Sequence, residues 1–188
     1  MEHIKAYLDA IYPLNQEDWE YFKSKLDFQK YPKNTVLIKS GAIENYLSFV
    51  SNGIIRLYIP KPDGETTFGF VFQNQFITAY DSFLTQLPSN YEMETLTDTC
   101  LWRISYSDLE MVYKHTKKGD LIGRKMAENM YLIKSKREID FLTKTAEMRY
   151  LELFQERPEL IKCIPLKFIA SYIGITPQAL SRIRKRIT

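Results

Sequence analysis

Gln178, Ser181, Arg182 and Lys185 stand three and four residues apart near the C-terminus. On a helix that spacing gathers them on one face. Amide, hydroxyl, guanidinium and ammonium groups are the donors that meet the acceptors of nucleic-acid base edges and phosphates. The charge around them fits that chemistry. Residues 161–188 hold six basic residues, Lys162, Lys167, Arg182, Arg184, Lys185 and Arg186, and no Asp or Glu. Residues 1–160 hold the other 20 basic residues and all 23 acidic ones, so the chain's net +3 hides a basic pole. A basic pole attracts a phosphate backbone. The plainer reading of such a run is a solvated helix face with a basic tail.

The flanking residues favour the first reading, because they set two helices at a fixed crossing. Ala179, Leu180 and Ile183 give the donor helix an apolar back. Thr176 is a good N-cap, and Pro177 occupies the first helical position, where a missing N–H costs nothing. Gly174 can take the positive φ that ends the preceding helix, and Ile175 tucks back as an apolar plug. That preceding segment, Leu166 to Ile173, carries Phe168, Ile169, Ile173 and a small Ala170 that allows a close crossing. The pattern predicts a helix-turn-helix over residues 166–188.

Upstream, Thr145 caps a predicted helix with Ala146, Tyr150, Leu151 and Phe154 as its apolar face, ending before Pro158. A longer helix opens at Gly119-Asp120 and runs to about Leu142. Ile122, Met126, Asn129 and Ile133 follow at steps of 4, 3 and 4, as in a coiled-coil seam where Asn129 could set register. The stripe then meets Lys136 and Asp140. An ordinary helix packed on a barrel fits the spacing equally well.

Residues 1–30 read as two helices, with Ile4, Tyr7, Leu8 and Ile11 on one and Trp19, Phe22 and Leu26 on the other, split by Pro13 and capped by Asn15. From there to Ser105 the pattern is short strands and turns, at residues 35–38, 46–51, 53–60, 66–72, 74–79, 91–96 and 100–105. Ile55, Leu57 and Ile59 alternate with Arg56 and Tyr58, and Asp63-Gly64 marks a hairpin. Many short strands imply a sandwich or small barrel.

With 188 residues, 45% hydrophobic and 14% aromatic, the chain can build a substantial core in one large or two small domains. No run approaches the ~20 apolar residues of a membrane span, and the N-terminus lacks a secretory signal pattern, so a cytoplasmic protein without membrane contact is expected. Cys100 and Cys163 lie in apolar settings and read as reduced core residues. Two cysteines are too few for an iron–sulfur cluster or a four-thiolate zinc site. Catalytic patterns are absent. The only histidines are His3 and His115, neither on a predicted strand beside a second His, and Glu92 and Glu94 read as exposed strand carboxylates. His115, Cys100 and Met93 are conceivable haem ligands, but nothing sets them apart from core and surface residues. The chain is therefore not read as an enzyme, and no cofactor is identified.

In this order of elements the sequence resembles the Crp/Fnr family of bacterial transcription regulators, and its short Bacteroidetes-type members in particular. The resemblance spans nearly the whole chain. It is carried by IASYIGITPQALSRIRK at 169–185, AEMRYLELFQERPEL at 146–160, NGIIRLYIPKPDGETTFGFVF at 52–72 and SFLTQLPSNYEMETL at 82–96. It implies an α+β chain. Residues 1–118 would form a cyclic-nucleotide-binding-like jelly roll with flanking helices, 119–142 a long dimerisation helix through Ile122, Met126, Asn129 and Ile133, and 143–188 an all-α helix-turn-helix domain. It implies double-stranded DNA, a second copy of the chain and RNA polymerase as partners. Base-reading positions fall on Pro177, Gln178 and Arg182, with Pro177 limited to apolar contact, Gln178 suited to adenine and Arg182 to guanine. Thr176, Ser181 and Lys185 would hold phosphates, with the helix's N-terminal amides.

Two departures from the family pattern stand out. Cyclic-AMP-binding members carry a Gly-Glu pair for the ribose and an Arg-Ser or Arg-Thr pair for the cyclic phosphate. Alignment on Phe76-Ile77 places Thr78 and Ala79 at the first pair and Ser89 and Asn90 at the second. Both charged contacts are lost, so cyclic AMP is not expected to bind. A ligand pocket at Thr78, Ala79, Tyr80, Ser89, Asn90 and Tyr91 would then serve another small effector or be filled by Tyr80, Phe83, Tyr91 and Met93. Only Arg157 to Pro165 separates Glu156 from Leu166, which leaves no room for a full wing. The function implied is sequence-specific DNA binding in transcription control. The alternative is a ligand-sensing jelly roll that acts through protein contacts.

Overall fold

A computed structural model describes residues 1–187, so Thr188, the end of the predicted helix-turn-helix domain, lies outside the described residues. Helix α1 (Glu2–Ile11) precedes α2 (Gln16–Ser24), and Asn15 caps the latter by accepting from Asp18 N at 2.8 Å. Eight strands follow: β1 (Asp27–Tyr31), β2 (Val36–Ile38), β3 (Tyr46–Asn52), β4 (Ile55–Lys61), β5 (Gly64–Val71), β6 (Phe76–Ile77), β7 (Glu92–Thr95) and β8 (Thr99–Ser105). Helix α3 (Tyr80–Thr85) interrupts them after β6. Then come α4 (Tyr106–His115), α5 (Gly119–Thr143), α6 (Ala146–Glu156), α7 (Pro158–Cys163), α8 (Leu166–Tyr172) and α9 (Pro177–Ile187). No described helix is long and apolar enough to cross a membrane.

The strands form two four-stranded sheets in the orders β1-β8-β3-β6 and β2-β7-β4-β5, the crossovers of a jelly-roll sandwich. Strand β1 corrects the expected helical reading of residues up to 30. Asp27 to Tyr31 pair antiparallel with Arg103 to Thr99, because completing the sheet satisfies backbone groups that a longer α2 would not reach. Arg56 is another correction. Strand β4 buries Ile55, Arg56, Leu57 and Tyr58 in succession, whereas Ile59 is exposed, so its two faces do not alternate as core and solvent. Arg56 Nη1 donates to Glu94 Oε1 on the neighbouring β7 at 2.7 Å, so Glu94 is not a free surface carboxylate.

The chain divides into two compact units. The first is Met1–Leu57 with Phe70–Met130. The second is Tyr58–Gly69 with Tyr131–Thr188. The division thus runs through the β4–β5 hairpin and through α5. The core of the first unit joins Ile4, Leu8, Trp19 and Phe22 of the N-terminal helices to Phe49, Ile104, Leu109 and Val112. Tyr7, Phe49 and Phe76 add an edge-to-face cluster, with centroids 5.0–6.2 Å apart.

Ile122 belongs to this same core and is 5% exposed, and Met126 packs against it. These two side chains pack within the chain, Ile122 fully and Met126 in part. Asn129 and Ile133 are exposed. The exposed apolar residues of α5 include Leu132, Ile139 and Leu142, at 64%, 54% and 79%. Cys100 and Cys163 are both free, but Cys163 is exposed and so is not a core residue.

Candidate nucleic-acid interface

The second unit holds α6 to α9. Tyr150 and Leu153 of α6, Leu160 of α7 with Ile164 after it, Ile169 and Ala170 of α8 with Ile173, and Leu180 and Ile183 of α9 supply its buried side chains. The face of α6 differs from the expected one. Leu153 is buried, while Leu151 and Phe154 are exposed, because a helix packed through Tyr150 and Leu153 turns its next apolar positions outward. Thr145 does cap this helix, accepting from Met148 N at 3.2 Å.

The turn between α8 and α9 is a Schellman motif. Gly174 has φ +82°, Ile175 N donates to Ala170 O at 2.9 Å, and Gly174 N donates to Ser171 O at 3.1 Å. Thr176 Oγ1 then accepts from Ala179 N at 3.2 Å, and Pro177 opens α9. The turn's chemistry therefore fixes where the second helix begins. With Leu180 and Ile183 inward, Thr176, Pro177, Gln178, Ser181, Arg182 and Lys185 are all exposed. The structure brings Gln178, Ser181, Arg182 and Lys185 onto one solvent-facing stripe. Arg186 is paired within the unit, its Nη2 donating to Glu147 Oε2 of α6 at 2.6 Å.

Two arginines that sequence reasoning did not single out hold the end of α8. Arg137 Nη2 donates to Tyr172 O at 2.9 Å. Arg149 donates to Ile173 O through Nη2 at 2.9 Å and Nε at 3.2 Å. Both guanidiniums satisfy C-terminal carbonyls and oppose the negative helix end. They also flank the Phe141 ring, at 4.6 and 4.4 Å from its centroid. No local pattern could have revealed them, because they come from 35 and 24 residues upstream. The hairpin tip joins the same unit, where Thr67 N donates to Ser171 Oγ at 2.8 Å.

In the first unit, the residues expected around a ligand pocket are largely engaged with the chain itself. Thr78, Ala79 and Ser89 are buried, Tyr80 and Tyr91 are half-buried, and Asn90 is exposed. Ser89 Oγ donates to Tyr91 O at 2.8 Å, and the Tyr91 hydroxyl donates to Asp81 Oδ1 at 2.7 Å. Burial, reinforced by the Asp81 carboxylate, raises the Tyr91 phenol well above its ordinary value, so it stays a neutral donor. Ser82 Oγ donates to Leu87 O at 2.5 Å and accepts from Glu44 N at 3.0 Å. Thr78 Oγ1 is buried without a hydrogen-bond partner among the described residues.

Residues 28–116 match the family model for the cyclic nucleotide-binding domain. No curated protein sequence matches the chain significantly. Among solved structures, the chain is similar to the c-di-GMP-responsive global regulator CLP of Xanthomonas campestris, at 17% identity and TM-score 0.70, covering 92% of this chain and 91% of that one. It is also similar to the Thermus thermophilus catabolite activator protein, at 18% identity and TM-score 0.59 over 94% and 85% of the two chains. A Crp/Fnr-family regulator from Eubacterium rectale aligns at 19% identity and TM-score 0.65 over 93% and 83%.

Proposed function

We propose that this chain, whose fold is that of the Crp/Fnr transcription regulators with a cyclic nucleotide-binding domain at residues 28–116, is a sequence-specific reader of double-stranded DNA. The observation that carries this reading is the exposed donor stripe of α9, set on a Schellman turn in a segment without acidic residues. Gln178 and Arg182 read base edges in the major groove, Pro177 offers apolar contact, and Ser181, Lys185 and Thr176 hold phosphates. The Thr176 oxygen accepts within its cap, and its O–H remains to donate to a phosphate oxygen. The wing-less domain adds backbone contacts through helix ends.

A homodimer places two such helices about one DNA turn apart, ~34 Å, on a pseudo-palindrome. The exposed stripe Leu132, Ile139 and Leu142 supports a seam on the C-terminal half of α5, at steps of seven and three. Cyclic AMP is not the effector in this reading, because the positions of the ribose Glu and phosphate Arg are Ala79 and Ser89. The chain works in the cytoplasm with RNA polymerase and is not an enzyme.

Selection of sites from random duplex DNA tests the reading. Wild type is expected to enrich a two-fold symmetric motif that Arg182→Ala relaxes at one position per half-site. A motif unaffected by Arg182→Ala would remove that residue from base reading, and no enrichment with any metabolite extract would refute the reading.

A further inference from the structure

In the second unit a cavity of about 330 Å3 opens among Thr66 and Thr67 of β5, Lys134, Arg137 and Phe141 of α5, and Ser171 of α8. That volume lies at the small end of sites for organic ligands. Glu138 and Gly174 complete the lining, so the wall carries two basic side chains and one acidic one. Arg137 is half-buried and hydrogen-bonds to Tyr172, at 2.9 Å to its carbonyl oxygen, yet no Asp or Glu among the described residues pairs with it. Its planar faces meet rings, with Cζ 4.6 Å from the Phe141 centroid and 4.2 Å from that of Tyr172. Among the described residues none of its five N–H donors meets a carboxylate.

A cation drawn partly out of water is costly without a counter-charge. Arg137 instead has like-signed neighbours. Burial first, and then Arg149 and Arg157, pull its pKa below the ordinary arginine value, while Tyr172 acts in the opposite sense. Lys134 brings a second cation to the cavity, with Nζ 5.2 Å above the Phe68 ring.

We infer that this cavity is a binding site for a small phosphate-bearing molecule, received by the Arg137 guanidinium and the Lys134 ammonium, with the Thr66 hydroxyl at its rim. A terminal phosphate offers three acceptor oxygens, which suits a guanidinium fork, an ammonium and a flanking hydroxyl better than the two oxygens of a carboxylate. The bound anion supplies the counter-charge that Arg137 lacks. Since the same guanidinium holds the end of α8, occupancy also bears on the first helix of the helix-turn-helix. That consequence rests on the DNA-binding reading, whereas the site does not.

The test is calorimetric titration of the full chain, without DNA, with inorganic pyrophosphate at fixed ionic strength and with citrate in parallel. The expected result is one saturable pyrophosphate site per chain, tighter than citrate, kept in an Arg182→Ala/Lys185→Ala variant and weakened at least tenfold in Lys134→Gln and Arg137→Gln. Lys134 is exposed, so Lys134→Gln keeps the test decisive if Arg137→Gln misfolds. No saturable binding would overturn the inference. So would citrate binding as tightly as pyrophosphate, or a site lost in Arg182→Ala/Lys185→Ala but kept in Lys134→Gln. Because no DNA is present, the result is independent of how α9 is used.

Discussion

A Cβ on Gly174 would stand 2.8 Å from Cε1 of Phe141. Phe141 cannot slide freely away, because the guanidiniums of Arg137 and Arg149 flank its ring. Gly174 also holds φ at +82°, where an L side chain is strained. Gly174→Ala should therefore lower stability by about 2 kcal/mol. Urea denaturation measures this, and a loss below ~0.5 kcal/mol would mean that the ring yields and the turn tolerates a side chain.

Arg182→Ala and Lys185→Ala should fail differently on DNA. Loss of a bidentate base contact costs ~1–3 kcal/mol and relaxes preference at one base pair. Loss of a phosphate contact weakens all sequences alike and flattens the salt slope by about 1. Binding isotherms at several salt concentrations separate the two, and interchanged signatures would reverse the assigned roles.

Substitutions on α5 distinguish its two faces. Leu142 is 79% exposed, so Leu142→Lys should leave the fold intact and convert a dimer to a monomer in sedimentation analysis. Ile122 lies in the core, so Ile122→Ala should instead cost ~2–5 kcal/mol of stability and spare the association. A stable monomer produced by Ile122→Ala would restore the seam through that residue.

Cyclic AMP should give no calorimetric signal at micromolar concentration. The positions that carry the ribose Glu and the phosphate Arg in cyclic-AMP-binding relatives are Ala79 and Ser89, both buried, and Ser89 is hydrogen-bonded to its own loop. Saturable micromolar binding would show that other side chains, such as Arg56 within the barrel, replace the missing pair.

Glu44 should leave a mark on the pH dependence of stability. Burial raises its carboxyl above the ordinary 4.5, although Tyr46 N, at 2.9 Å from Oε1, and the Arg103 charge pull the other way. The folded chain thus binds this proton more tightly than the unfolded chain. Stability should fall as pH rises from about 4.5 through the raised pKa and then level off. Glu44→Gln should lack that fall in urea titrations, and an unchanged pH profile would assign the dependence elsewhere.

The N-cap at Thr176, Pro177 at the first helical position and Gly174 at positive φ are decisions made within a few residues. The sequence alone therefore determined where α9 begins and which of its side chains face outward. The caps at Asn15 and Thr145 were legible for the same reason. Tertiary packing decided the rest. It paired Asp27–Tyr31 with β8 against a helical local pattern and buried both faces of β4 from Ile55 to Tyr58, Arg56 among them. It turned Ile122 and Met126 of α5 inward, although their spacing suited a coiled coil equally well. It also brought Arg137 and Arg149 to the carbonyls that end α8 and set Phe141 against Gly174. Local rules see capping and backbone strain, which act over a turn or two of chain. Burial and the pairing of distant groups depend on which surfaces meet, and no residue's neighbours in sequence carry that information.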